Sequence, residues 1–258
     1  MSQITSSEVA IRGDREIKEY VASPENPKAG IIVIHEIWGL NDNIKDIVNR
    51  FAKEGYYVVA PHLYSQDFMN EENIKSTMTK FWSIPAEKRG DEIYIQKVYE
   101  SSTDVQKKII DVLVMNRENT MKQMIKDLVS VYSNLKNTLN KKIGAIGFCM
   151  GGGLAFELAT EVELDAVTVF YGANPNPLEK ISKIKGPILG IYAGEDRNID
   201  SGLPDLLKAI IEYKKDLELK IYPGTQHAFF NDRGPVYNKD AAEDAWNRTI
   251  RFFSRWLS

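Results

Sequence analysis

Six short runs of nearly unbroken apolar, largely β-branched residues recur along the chain: GIIVIHE (30–36), YYVVAP (56–61), KIGAIGF (142–148), LDAVTVFYG (164–172), PILGIYAGE (187–195) and LELKIYPG (217–224). A strand with one wet face alternates polar and apolar residues, whereas a strand buried on both faces does not. Helical patterns separate most of these runs. One is NDNIKDIVNRFAKEG, with Asn41 or Asp42 as its cap and Gly55 as its stop. Strand alternating with helix predicts a mostly parallel sheet with helices on both faces. An earlier pair, EVAIRG and REIKEYVAS, predicts an edge hairpin turning at Gly13-Asp14.

The rhythm breaks between about 65 and 139, where a helical insertion or lid is expected before the next strand. Its last part places Met121, Met124, Ile125, Leu128, Tyr132, Leu135 and Leu139 on one face. Core packing explains that stripe better than a methionine-lined groove. A closing helix carries Ala242, Ala245, Trp246, Ile250, Phe253 and Leu257. With no repeat or low-complexity linker, 1–258 is expected to form a single domain.

The charge balance points away from nucleic acid: 33 basic and 36 acidic residues, interspersed, give a formal net charge of -3. No apolar run approaches the roughly 20 residues that span a bilayer. The N-terminal stretch has neither a basic flank nor an apolar core, and a single cysteine suits a reducing compartment. A cytoplasmic protein without membrane contact is expected.

That single cysteine lies in IGFCMGGG. Gly147 and Gly151 flank Cys149 at the spacing of a nucleophile elbow, between a strand and a helix. Small neighbours are needed there because strand and helix crowd together around a strained nucleophile. The following helix N-terminus favours a thiolate, and the Met150 N–H is available to an oxyanion. A buried structural cysteine is the competing explanation. No Lys-Ser/Thr follows the glycines and they do not space as G-x-G-x-x-G, which excludes the phosphate-loop patterns.

A thiol nucleophile needs a base and an orienting acid. His35 and His62 end strands and suit hydrogen-bonded structural roles, whereas His227 follows the last run and precedes the last helix. After the run ending at Gly194 come Glu195, Asp196 and Asp200, of which Asp196 follows the strand most directly. The order Cys149, Asp196, His227 is that of the α/β-hydrolase fold. Glu36 should stand at the C-terminal end of the first parallel strand, where the Ile37 N–H could supply a second oxyanion donor.

IVIHEIWGLND, GYYVVAPHLY, IGFCMGGG, YAGEDRNI and HAFFND followed by AAEDAWNRTIRFF together resemble the dienelactone hydrolase (carboxymethylenebutenolidase) family. The resemblance runs from about residue 27 to the C-terminus and is weak over 65–139. It implies an α/β-hydrolase fold and hydrolysis of a small-molecule lactone or carboxylic ester through an acyl-thioester, with no metal or organic cofactor. It implies Cys149 as nucleophile, His227 as base, Asp196 as its acid, Ile37 and Met150 as oxyanion hole, and Glu36 as the group that activates the thiol.

Two family arginines that hold a substrate carboxylate have no clear counterpart. Asn231 occupies the position four residues after His227, Arg233 is the nearest arginine, and Arg89 and Arg117 lie before the nucleophile. Trp38, Asn231, Arg233 and Arg89 are the candidate substrate contacts. Rival explanations are a glutamine-amidotransferase-like cysteine hydrolase, which should carry a glutamate where Phe229 stands, and a non-catalytic ligand binder or thiol sensor on the same scaffold.

Overall fold

A computed structural model describes residues 3–258. Met1 and Ser2, part of the stretch considered for a signal, lie outside them. Eight strands form one sheet: β1 (Ile4–Arg12), β2 (Glu16–Pro24), β3 (Gly30–Ile34), β4 (Tyr57–Pro61), β5 (Ile143–Phe148), β6 (Ala166–Phe170), β7 (Ile188–Ala193) and β8 (Leu217–Tyr222). Their order is β1-β2-β4-β3-β5-β6-β7-β8. The β1–β2 and β2–β4 pairs are antiparallel and every other pair is parallel. All five residues of β3 and β6 and all six of β5 and β7 are buried, as their unbroken apolar character requires.

Two hydrophobic layers sandwich the sheet. Helices α1 (Asp42–Lys53) and α9 (Lys239–Leu257) cover one face, where Phe51 and Phe253 pack on Val33 and Ile146. Helices α5 (Arg117–Leu139), α6 (Met150–Glu161) and α8 (Leu203–Glu212), the last preceded by the single turn α7 (Arg197–Asp200), cover the other through Leu135, Leu154, Leu158 and Leu206. Asn41, rather than Asp42, caps α1 by accepting from the Ile44 N–H, and Gly55 takes φ +94° just beyond the helix.

The segment between β4 and β5 is helical, as expected before the cysteine strand. Besides α5 it holds α2 (Glu71–Trp82), α3 (Glu92–Glu100) and α4 (Asp104–Ile110). Asn70, Asp91 and Thr103 cap the starts of the last three. A π-helical turn over Asp111–Met115 continues α4, with the Asn116 N–H donating to the Asp111 carbonyl at 2.7 Å. Thr120 Oγ1 donates to the Val112 carbonyl at 2.8 Å, satisfying an acceptor in that widened turn.

The buried stripe of α5 is Met124, Asp127, Leu128, Val131 and Leu135, rotated slightly from the apolar stripe in the sequence. Asp127 is admitted because Arg15, from the β1–β2 turn, donates to it through Nε at 3.0 Å and also reaches the Leu63 carbonyl. The edge hairpin is thereby tied to the helical segment.

Candidate active site

The site sits at the C-terminal ends of β3, β5, β6 and β7, where a parallel sheet presents its loops. Cys149 joins β5 to α6 with φ 56° and ψ -118°, a conformation side-chain-bearing residues rarely adopt. The flanking glycines are sterically required. A Cβ on Gly147 would stand 1.8 Å from the Gly151 oxygen, and one on Gly151 would stand 2.3 Å from the Ile34 oxygen. The Cys149 N–H donates to the Phe170 carbonyl at 3.1 Å, and its own carbonyl receives the Gly152 and Gly153 N–H groups. The partly exposed thiol therefore sits at the N-terminus of α6.

His227, in the loop between β8 and α9, meets Asp196 through Nδ1 and Oδ2. Asp196 lies just past β7 and is buried, whereas Glu195 is exposed. Asp200 is only partly buried and does not bond the imidazole; burial and the neighbouring Asp196 charge raise its pKa. Burial alone would lower the His227 pKa, but hydrogen bonding to Asp196 and Cys149, with their charges, pushes it up to about 10. An imidazole so placed can hold a proton beside the sulfur at neutral pH.

Glu36 is 2% exposed, and Asn231 Nδ2 donates to its Oε2 at 3.0 Å. Burial raises the Glu36 pKa against the smaller opposing effects of Asn231 and His227. Asn231, considered as a substrate contact, thus holds Glu36. Arg233 lies outside the cavity on an exposed pair with Asp42 at 3.2 Å. Arg89 donates to the Ile84 and Trp82 carbonyls, both at 3.0 Å, and helps close the end of α2.

One cavity of about 440 Å³ brings together Cys149, His227, Glu36, Ile37, Trp38 and Met150. Its helical side is made by Trp82, Val112, Leu113, Arg117, Thr120 and Met121. Trp38 and Trp82 meet edge-to-face across it at 5.5 Å. Met121 therefore lines a groove, while Met124 belongs to the core, so the methionine stripe divides between its two explanations. Arg117 is the one lysine or arginine in the lining among the described residues. The Ile37 N–H makes no backbone hydrogen bond among the described residues, and neither does that of Met150.

Several neighbours carried no signal strong enough to single them out. Tyr171 follows β6 with φ 38° and places its ring 4.9 Å from that of His227. Tyr64 Oη donates to the Ile37 carbonyl at 2.8 Å. An aromatic at the C-terminal end of a parallel strand was the available clue to Tyr171. Trp82 and Leu113 had none, because only the folded path of the insertion brings them to the thiol. Among the described residues no His/Cys/Asp/Glu cluster is placed to hold a metal, and no helix is long and apolar enough to cross a membrane.

The dienelactone hydrolase family model matches residues 17–257. A relative from Saccharolobus solfataricus, provisionally named a carboxymethylenebutenolidase, is 61% identical over 241 residues, covering 93% of this chain and 94% of that one. Protein usf of Aquifex pyrophilus is 30% identical over 249 residues, covering 94% of each. A crystal structure from Klebsiella pneumoniae, provisionally described as a dienelactone hydrolase, shares the fold with a TM-score of 0.73 at 23% identity, over 98% of this chain and 100% of that one. A match along nearly the whole sheet, from the second strand to the closing helix, settles the family: the chain belongs to the dienelactone hydrolases, ester-bond hydrolases of the α/β-hydrolase fold.

Proposed function

We propose that the protein hydrolyses carboxylic esters or lactones through a covalent thioester on Cys149. The observation that carries this is the convergence on one cavity of a thiol on a strained elbow, an imidazole held by a buried carboxylate, and two N–H groups without backbone acceptors. The thiol first loses its proton to Glu36, while His227, its pKa raised by Asp196 and Cys149, waits as the imidazolium. Burial makes Glu36 a stronger base than an exposed carboxylate, and Asn231 keeps its carboxyl in place. The thiolate attacks the carbonyl carbon, and the oxyanion receives the Ile37 and Met150 N–H groups. Collapse expels the alcohol, protonated by the imidazolium of His227. Neutral His227 then takes a proton from water, whose attack on the thioester releases the acid and a thiolate, and Glu36 returns its proton to the sulfur.

Trp38, Trp82, Val112, Leu113, Met121 and Ile199 supply the apolar lining. It suits an ester with a sizeable apolar part, and Arg117 alone would meet a substrate carboxylate. The helices between β4 and β5 act as its cover within a single domain. The test is release of p-nitrophenol from a butyrate ester, beside ultraviolet loss of a dienelactone. Cys149→Ala should remove at least about 10⁴-fold of the turnover while leaving the circular dichroism spectrum unchanged. Retained turnover would take the thiol out of the mechanism. Saturable ligand binding with no turnover by the wild type would favour a binder on the same scaffold.

A further inference from the structure

The peptide joining Glu36 to Ile37 carries the N–H assigned above to the oxyanion, and its carbonyl points the opposite way, as in any trans peptide. That carbonyl is gripped from behind. His35 Nδ1 lies 2.6 Å from it, and the Gly39 N–H donates to it at 3.2 Å. The other ring nitrogen of His35, Nε2, accepts the Leu63 N–H at 3.2 Å. A nitrogen that accepts from a backbone N–H carries no proton, so the proton resides on Nδ1 and is donated to the Glu36 oxygen. His35 is completely buried, which lowers its pKa to about 4 and keeps the ring neutral near neutral pH.

We propose that His35 is a positioning residue for the oxyanion hole: its Nδ1–H fixes the Glu36–Ile37 peptide plane and so aims the Ile37 N–H at the substrate oxygen over Cys149. Donating to the carbonyl also polarises the shared peptide, which makes its N–H a better donor as negative charge develops. Leu63 sets the tautomer, and Tyr64, bonded to the Ile37 carbonyl, steadies the following peptide. This rests on the thioester mechanism proposed above, because without an oxyanion the peptide has nothing to stabilise.

Two substitutions separate positioning from mere packing. His35→Gln can keep an acceptor near the Nε2 position for Leu63 but loses the Nδ1 donor. His35→Asn can keep a donor near the Nδ1 position but loses the Leu63 contact. Both are compared with wild type and Cys149→Ala for kcat and KM on p-nitrophenyl butyrate, for Tm, and for inhibition by butyraldehyde, which adds to the thiol and bears an oxyanion.

His35→Gln should lower kcat about ten- to a hundredfold with KM little changed, and weaken butyraldehyde by a similar factor. His35→Asn should keep kcat within about threefold even where its Tm falls. Losses that follow Tm in both variants, or full kcat in His35→Gln, would overturn the proposal. If neither variant folds, wild type still decides: the His35 Nδ1 proton resonance should shift when butyraldehyde adds to Cys149, and an unmoved resonance overturns the assignment. Absence of cysteine-dependent turnover in wild type would instead remove the thioester mechanism and this role together, an outcome that the Cys149→Ala control identifies.

Discussion

The turns beneath the cavity and the helices above it meet the same ligand space under different constraints. Beneath, Gly147 and Gly151 pack backbone against backbone on either side of Cys149, where adding one methyl group would overlap a carbonyl, and the Glu36–Ile37 peptide is held by the buried His35 ring and the Gly39 N–H. Above, Trp82, Val112, Leu113 and Met121 approach through side chains, from elements joined by caps and a π-turn. Trp82 is 41% exposed, whereas Glu36 is 2% exposed. A part set by backbone sterics holds reacting atoms to a fraction of an ångström, as chemistry requires. A part set by apolar side chains can change shape at modest cost, as selectivity among substrates requires.

Changes beneath should therefore act on kcat, and changes above on KM. The largest expected effect after loss of the thiol is Asp196→Asn, which should lower kcat about 10³- to 10⁴-fold by releasing the imidazole. The same variant should shift a pH profile. His227 is held at about 10 in the fold, above its ordinary value, so its stabilising contribution is present below about pH 6.5 and is lost as pH rises through about 10. The Tm gap between wild type and Asp196→Asn should be widest near pH 6 and close toward pH 10, and the alkaline limb of kcat/KM should move to lower pH in the variant. A constant Tm gap would mean that Asp196 does not hold a charged imidazole.

Next in size is Gly151→Ala. Pushing the elbow from the end of β3 should cost about 1–3 kcal/mol of stability, read by denaturant unfolding, and about a hundredfold in kcat. Wild-type kinetics would show that the contact yields without moving the reacting groups. The smallest effect belongs to the helical side. Trp82→Ala should raise KM about tenfold for p-nitrophenyl hexanoate and leave kcat on the acetate ester nearly unchanged. A kcat loss on the acetate as large as that of Gly151→Ala would erase the division between the two sides.

That division also explains what the sequence made legible. The sheet was readable because strands buried on both faces must be continuously apolar, and the edge hairpin because Gly13-Asp14 separates two extended runs. Cys149, Asp196, His227 and Glu36 were readable because each follows a strand, and a parallel sheet delivers all strand ends to one edge. Asn231 was readable as a neighbour of the site, but its partner was not: a hydrogen bond to Glu36 spans 195 positions of sequence. Arg233 and Arg89 were drawn toward the site by the arginine positions that the resemblance implies, and each is engaged elsewhere, Arg233 by Asp42 and Arg89 by the Ile84 and Trp82 carbonyls. Trp82 and Leu113 were invisible because no periodicity reveals how four helices and a π-turn fold back over a sheet.

The bare Cα of Gly151 has a consequence for the spacing of the whole centre. It faces the carbonyls of both Ile34 and His35, where a Cβ would come within 2.3 and 2.5 Å. The start of α6, which carries the sulfur, and the end of β3, which leads into Glu36 and Ile37, therefore rest against each other with no side chain between them. Their separation is not adjustable by choice of rotamer, as it would be were a leucine interposed. The missing methyl works like a machinist's gauge: two segments more than a hundred positions apart in the chain are seated at one distance, and drift in either would have to carry the other along.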